Sequence, residues 1–194
     1  MKYAQIRKMD ISNGEGCGVS IFTQGCPIKC EGCHNASIWN PKEGKEFTTD
    51  ALNTIIDLLD KPYISRLSIL GGEPLLKENV KSLADLVLIA DLMFPNKKIW
   101  LWSGYLWENI YSLAFDASYS SIGTQQDWNW QDKKNLRNIL FSLDVLVDGP
   151  FIQEQKNITL KWRGSANQRV IDVQKSLRQN LPILPPPSPI LYCD

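Results

Sequence analysis

Three cysteines and the only histidine of the chain lie close together in the segment CPIKCEGCH, as Cys26, Cys30, Cys33 and His34. A thiolate is both a nucleophile and a ligand for soft metals, so clustered thiols suggest a metal site or a redox site. Three thiolates at C-x3-C-x2-C spacing can bind three corners of one metal centre if the loop wraps around it. With a single histidine in the chain, nucleophilic catalysis supported by a histidine base could only be built around His34.

Four kinds of site are compatible with this spacing. A structural zinc site needs a fourth protein ligand, which would have to be Cys17, Cys193 or His34. A thioredoxin-like redox pair would use the segment 30–33 and leave the first cysteine of the loop without a role. A catalytic thiol with His34 as its base is a third alternative, and a [4Fe-4S] cluster on three cysteines is the fourth. Such a cluster has one iron without a protein ligand, and an open coordination position is where chemistry can occur.

The composition restricts the class of protein. The chain has 194 residues, 21 basic and 21 acidic side chains, and no basic run, which argues against a nucleic-acid partner. No apolar run is long enough for a membrane span or a signal core, so we expect a cytoplasmic protein that does not contact a membrane. Five cysteines in that compartment argue against a disulfide framework. We expect a single domain over residues 1–180, followed by a proline-rich tail at 181–194.

Strand and helix patterns alternate along the chain. Capping residues and apolar periodicity predict helices that begin at Thr48 or Thr49 and end before Lys61, and at 79–94, 108–114 and 133–141. Runs of β-branched and aromatic residues predict strands at 18–23, 66–70, 99–102, 144–147, 158–162 and 170–172. Residues 115–132 are expected to form a loop or insertion. Alternation of this kind predicts an α/β fold with parallel strands covered by helices, as an open sheet or a partly closed barrel.

Each unusual motif follows the end of a predicted strand. The cysteine loop follows the first strand, Gly71-Gly72-Glu73-Pro74 the second, residues 102–105 (WSGY) the third, and residues 148–150 (DGP) the fourth. Ligands of parallel α/β sheets collect at the carboxyl ends of the strands. We therefore expect these motifs to line one mouth.

The motifs resemble those of a known family. Residues 26–35 resemble the C-x3-C-x2-C-aromatic loop of radical S-adenosylmethionine (SAM) enzymes, and residues 71–74 resemble their GGEP loop. Within that superfamily the chain resembles the activating proteins of anaerobic ribonucleoside-triphosphate reductases, over about residues 1–172. The segments that carry this narrower resemblance are 10–16, 99–105, 144–150 and 162–168.

The resemblance implies a partial TIM-like β/α barrel and a glycyl-radical activase. A [4Fe-4S] cluster on Cys26, Cys30 and Cys33 would cleave SAM reductively, and the resulting 5'-deoxyadenosyl radical would take hydrogen from a glycine of the reductase. The implied partners are the anaerobic reductase and reduced flavodoxin or a similar electron donor. Another glycyl-radical enzyme, such as pyruvate formate-lyase, is the alternative target.

The resemblance also suggests the residues that contact SAM, and it suggests no acid-base catalytic side chain beyond the cluster and SAM. His34 stands where the family commonly has tyrosine, and its flat ring can still lie against adenine. For Asp148, capping a turn and contacting SAM are alternatives that stay open. The expected cofactor-binding residues are Gly32, Cys33, His34, Gly71, Gly72, Ser103 and Asp148.

Overall fold

The computed structural model describes residues 1–184, within which seven strands and five helices alternate. The strands are β1 (Lys2–Asp10), β2 (Gly18–Thr23), β3 (Lys45–Glu46), β4 (Arg66–Gly71), β5 (Lys98–Trp102), β6 (Val145–Asp148) and β7 (Arg169–Asp172). The helices are α1 (Thr49–Leu59), α2 (Val80–Met93), α3 (Trp107–Phe115), α4 (Trp130–Ser142) and α5 (Val173–Gln179). None of the helices in these residues is both long and apolar enough to cross a bilayer.

The strands form one mixed sheet in the order β3-β1-β2-β4-β5-β6-β7. Strands β2, β4, β5 and β6 are parallel, as the alternating pattern predicts. Strand β7 corresponds to the predicted strand 170–172 but runs antiparallel to β6, and β1 and β3 add an antiparallel edge that the sequence analysis did not predict. Within residues 1–184 the sheet is open, with β3 and β7 at its two edges.

The two faces of the sheet differ in chemistry. Alternate residues of the parallel strands, such as Ile21, Ile69 and Leu101, belong to one buried apolar cluster to which all five helices contribute. The intervening residues on the opposite face include Ser68 and Trp100. Helices therefore cover one face, and the other is left for irregular segments.

The helices begin and end near the predicted positions for local reasons. The Thr48 hydroxyl caps α1 by accepting a hydrogen bond from the Ala51 N–H at 3.3 Å. Asn129 and Asp132 form a reciprocal capping box at the start of α4, so this helix begins three residues before the predicted start at Lys133. The predicted loop 115–132 is thereby shortened at its end. In α2 the apolar positions predicted to face the core, 83, 86, 87 and 90, are all buried.

Two predictions on the C-terminal part differ in outcome. The strand expected at Ile158–Trp162 is absent, since this stretch forms turns. Its alternating apolar residues do not join the sheet, and Ile158 is 90% exposed. The proline-rich tail was expected to begin at Leu181. Within it, Ile183 is hydrogen-bonded to Asp172 and Ser176. Residues 185–194 of the expected tail lie outside the described residues.

Candidate functional site

A cavity of about 490 Å³ opens at the carboxyl ends of the parallel strands. It is lined by the cysteine loop, by the segments that follow β4 and β5, and by Gly149 after β6. The motifs predicted to line one mouth therefore do so. The predicted site residues on the lining are Cys26, Cys30, Gly32, Cys33, His34, Gly71, Gly72 and Ser103.

The cysteine loop is held closed at its base. The Gly25 N–H donates to the Ile38 carbonyl at 2.8 Å, and the Cys26 N–H donates to the Trp39 carbonyl at 3.1 Å. Inside the loop, the Cys33 N–H donates to the Cys30 carbonyl at 3.1 Å and forms a turn. The sequence thus curls back on itself and presents its three thiols, all free and partly buried, to the same cavity.

Burial and backbone dipoles act in opposite directions on two of these thiols. Burial raises the pKa of both Cys26 and Cys30, although backbone N–H groups lower it in part. Those of Ile28 and Lys29 donate to Cys26, and that of Phe151 donates to Cys30. Donors aimed at sulfur stabilise a thiolate, and a bound cationic iron centre would overcome the burial effect.

The other cysteines do not complete a zinc site among the described residues. Cys17 immediately precedes β2, and its carbonyl accepts the Ser65 N–H at 2.8 Å. The six residues of β2 separate it from the cysteine loop by roughly 20 Å. Cys193 lies outside the described residues.

Within residues 1–184 no three His, Cys, Asp or Glu side chains converge to hold a single metal ion. A [4Fe-4S] cluster distributes its ligands over different irons, so its thiolates need not converge on one point. Three thiols spread around one cavity therefore fit a cluster better than a zinc ion.

The GGEP loop lies directly against the base of the cysteine loop. The Gly72 N–H donates to the Thr23 carbonyl at 2.9 Å, and the Glu73 N–H donates to the Gly25 carbonyl at 2.8 Å. A Cβ on Gly72 would lie 2.1 Å from that same carbonyl oxygen, and Gly71 has φ +114°. Both glycines are therefore required by backbone contacts, in addition to any role in binding SAM.

Glu73 connects this loop to the loop after β5. Its fully buried carboxylate accepts hydrogen bonds from the Leu75 N–H at 2.9 Å, the Ser103 hydroxyl at 2.9 Å and the Gly104 N–H at 2.8 Å. Burial raises the pKa of Glu73 to about 7, against the opposing effect of these donors. Sequence reasoning missed this role. The available signal was an acidic residue enclosed between two glycines and the apolar Pro74-Leu75.

Two predicted SAM-contacting residues have intramolecular partners. Ser103 lines the cavity, but its hydroxyl donates to Glu73. Asp148 is fully buried behind the lining: its carboxylate accepts the Trp107 N–H at 2.7 Å, where α3 begins, and Arg169 Nε at 3.0 Å. Both carboxylate oxygens of Asp148 thus have partners within the protein, while its neighbour Gly149 reaches the cavity.

Gly32 and His34 lie at the outer edge of the cavity. Gly32 has φ +70°, and a Cβ there would lie 2.1 Å from Gln153 Oε1. His34 is exposed and also lines the cavity. Gln153 was not singled out from the sequence: the end of β6 was expected beside the cysteine loop, but no local pattern indicates that Gln153 packs against Gly32.

The chain segment before β2 also contributes to the cavity lining. Arg66, fully buried at the start of β4, donates to the carbonyls of Asp10 at 2.8 Å, Asn13 at 2.7 Å and Gly16 at 2.9 Å. The Ser68 hydroxyl donates to the same Asn13 carbonyl at 2.6 Å. These bonds fix residues 10–16 against the polar face of the sheet, so that Asn13 reaches the cavity.

Comparison with known proteins agrees with the metal-ligand chemistry of the three cysteine thiols. A family model described as a 4Fe-4S single cluster domain matches residues 12–171. The anaerobic ribonucleoside-triphosphate reductase-activating protein of Enterobacteria phage T4 is 37% identical over 172 residues, which cover 88% of this chain and 93% of the relative. The proteins of the same name from Vibrio cholerae serotype O1 and Escherichia coli K12 are 36% identical over 170 residues and 33% identical over 172 residues. The matches cover 87% and 88% of this chain and 96% and 97% of those relatives. The chain therefore belongs to the anaerobic ribonucleoside-triphosphate reductase-activating proteins, a family of activating enzymes with a 4Fe-4S domain.

Proposed function

We propose that this protein activates anaerobic ribonucleoside-triphosphate reductase by reductive cleavage of SAM at a [4Fe-4S] cluster held by Cys26, Cys30 and Cys33. A cluster bound there would supply one electron to the sulfonium of SAM, whose carbon–sulfur bond would break to give methionine and a 5'-deoxyadenosyl radical. That radical would take a hydrogen atom from a glycine of the reductase, giving 5'-deoxyadenosine and a glycyl radical. In this proposal the open sheet is the incomplete barrel of radical SAM enzymes.

One observation carries the proposal. Among the described residues, three thiols and no fourth reach a cavity at the carboxyl ends of four parallel strands, and the GGEP loop lies against the base of the loop that bears them. Three protein ligands leave one iron free for a substrate, as the open position of a catalytic metal site requires.

In this proposal the residues of this chain bind SAM, orient it and shield it from water. Backbone groups of Gly71 and Gly72, which line the cavity, would bind the methionine amine of SAM. Gly32 and the His34 ring would contact adenine at the outer edge. No acid-base side chain is assigned, because in such reactions the cofactor carries the chemistry.

Ser103 would act at this site through its hydrogen bond to Glu73. For Asp148, the cap on α3 and the pair with Arg169 would fix Gly149 at the cavity wall. We propose reduced flavodoxin or a similar carrier as the electron donor.

The test is electron paramagnetic resonance of a mixture of the anaerobically reconstituted protein, SAM, a reductant and the anaerobic ribonucleoside-triphosphate reductase of the same organism. We expect a glycyl doublet that needs all four components, with one 5'-deoxyadenosine formed per radical. A parallel mixture with pyruvate formate-lyase should give no doublet. A doublet only with that second enzyme would contradict the proposed target.

A further inference from the structure

The loop between α3 and α4, residues 116–129, has no role in the proposed chemistry, yet it is folded against the core. Ile122 and Gln125 bond to each other through both of their backbone N–H and carbonyl groups, at 3.0 and 2.9 Å, and close a tight turn. The side chains of Ile122 and Trp128 belong to the buried apolar cluster. The turn that carries Gln125 is therefore held between two buried side chains.

The side-chain amide of Gln125 bonds to the segment that directly follows the GGEP motif. Its Oε1 accepts the Lys77 N–H at 2.5 Å, and its Nε2 donates to the Leu75 carbonyl at 3.1 Å. Residues 72–79 belong to no strand or helix, so their backbone groups need partners of this kind. The Lys77 ammonium group also donates to the Asp127 carbonyl at 2.6 Å, which joins the two segments a second time.

Gln125 also reaches the segment after β5, through Tyr105. Its Nε2 donates to the Tyr105 hydroxyl at 3.0 Å. The Tyr105 N–H donates to Ser103 Oγ at 3.1 Å, and the Tyr105 carbonyl accepts the Gly149 N–H at 3.2 Å. Ser103 and Gly149 both line the cavity, whereas Tyr105 and Gln125 do not. Gln125 therefore acts on two loops of the cavity through residues that do not themselves line it.

Gln125 and Glu73 join the same two segments at different points. Leu75 is bonded through its N–H to the Glu73 carboxylate and through its carbonyl to the Gln125 amide. In the segment after β5, Glu73 bonds to Ser103 and Gly104, whereas Gln125 bonds to the next residue along the chain. Two bonded points fix the orientation of a segment that a single point would leave free to rotate.

We propose that Gln125 is a positioning residue for SAM, which orients the GGEP loop relative to the segment after β5 without contacting SAM itself. The inference rests on the proposed function, in which backbone groups of Gly71 and Gly72 bind the methionine amine. Without the Gln125 amide, residues 74–77 and 103–105 can shift relative to each other. Binding groups on a displaced backbone lose much of their effect, so the affinity for SAM falls.

The test combines SAM binding with amide hydrogen exchange, both on the cluster-loaded protein. Anaerobic calorimetry with the cluster oxidised, so that no electron is available to cleave SAM, gives Kd. We expect Gln125→Ala to raise the Kd for SAM about tenfold while iron content is unchanged. The N–H groups of Gly72 and Glu73 bond to Thr23 and Gly25, not to Gln125, so their faster exchange would show that the loop itself has moved.

Two further variants separate this role from a general loss of structure. Gln126→Ala is the matched control, since Gln126 is the exposed neighbour in the same loop, and it should leave Kd and exchange unchanged. Tyr105→Phe removes one of the three bonds of the amide and should raise Kd less than Gln125→Ala. The double variant should bind SAM as Gln125→Ala does, because within residues 1–184 the Tyr105 hydroxyl bonds to Gln125 alone.

An unchanged Kd for Gln125→Ala, an equal rise for Gln126→Ala, or unchanged exchange at Gly72 and Glu73 would overturn the inference. Loss of iron in step with loss of SAM affinity would also overturn it, because Gln125 would then support the fold as a whole. Absence of SAM binding by the unmodified protein would defeat the proposed function instead, and the exchange rates would still decide whether Gln125 holds the GGEP loop.

Discussion

The Glu73 carboxyl group, which has no access to water, joins the loops after β4 and β5 by accepting hydrogen bonds from Leu75, Ser103 and Gly104. Such a group holds the cavity wall in one arrangement because each donor would otherwise be buried without a partner. Because burial also raises the pKa of Glu73, the free energy of unfolding depends on pH.

The pKa of Glu73 rises from its ordinary value of 4.5 to about 7 on folding. Between these values Glu73 keeps a proton in the folded chain that it has released in the unfolded chain, so its contribution to stability is greatest at low pH and falls as pH rises. The expected slope is about 1.4 kcal/mol of unfolding free energy per pH unit, ending near pH 7. Glu73→Gln cannot ionise, so its stability curve should be flatter over this window. Denaturant unfolding under anaerobic conditions measures both curves.

The control for this prediction is Glu78→Gln, since Glu78 is exposed a few residues along the same loop. Its curve should follow that of the unmodified protein. Parallel curves for Glu73→Gln and the unmodified protein would show that Glu73 does not hold its proton in the fold.

At the residue scale, the sequence predicted which positions line the cavity, with the exception of Asp148, but not how they interact. The cysteines and glycines could be found because ligand chemistry and absent side chains restrict residue choice. The contacts of Ser103 with Glu73 and of Asp148 with Arg169 join segments distant in the chain, so no local pattern encodes them. Gln153 was missed for the same reason.

Among the elements, β1, β3 and α5 were not predicted. Strand β1 alternates weakly and buries only Asp10 fully, so it is a strand mainly because it pairs with β2. Helix α5 has seven residues, too few for a clear helical period. Conversely, the apolar alternation at 158–162 predicted a strand where Asn157 forms a turn instead. The central strands and the helices α1 to α4 were found because each buries an apolar face of sufficient length.

Arg66 joins the segment before β2 to the sheet, so its substitution tests how the whole segment 10–16 is held rather than one hydrogen bond. Three carbonyls, those of Asp10, Asn13 and Gly16, are bonded by one guanidinium group in a fixed fork. A lysine ammonium group is a single point and cannot reach all three, so Arg66→Lys should lower the unfolding free energy by about 3 kcal/mol. Chemical denaturation measures the loss.

Exposed Arg178 on α5 provides the matched control, and Arg178→Lys should change stability by less than about 0.5 kcal/mol. Equal stability of the Arg66→Lys and Arg178→Lys proteins would mean that residues 10–16 are held by other contacts. The position of Asn13 on the cavity lining would then need another explanation.

On the scale of the whole molecule, helices cover one face of an open sheet and the other face carries the cavity. The α/β class could be predicted from the alternating pattern. The antiparallel edges could not, because the direction of a short edge strand depends on the strand with which it pairs. An open cavity suits a substrate delivered by a large protein. The account depends on a cluster held by three cysteines only.

The most direct test of that claim is the iron content and the reduced electron paramagnetic resonance spectrum of the double variant Cys17→Ala/Cys193→Ala, with Cys30→Ala as its matched counterpart. After anaerobic reconstitution, we predict about four irons per chain in the double variant and a spectrum that changes when SAM is added, because the free iron is still available. Cys30→Ala should lose most of its iron and the response to SAM. Loss of iron from the double variant, a spectrum indifferent to SAM, or one tightly bound zinc in place of iron would contradict the account.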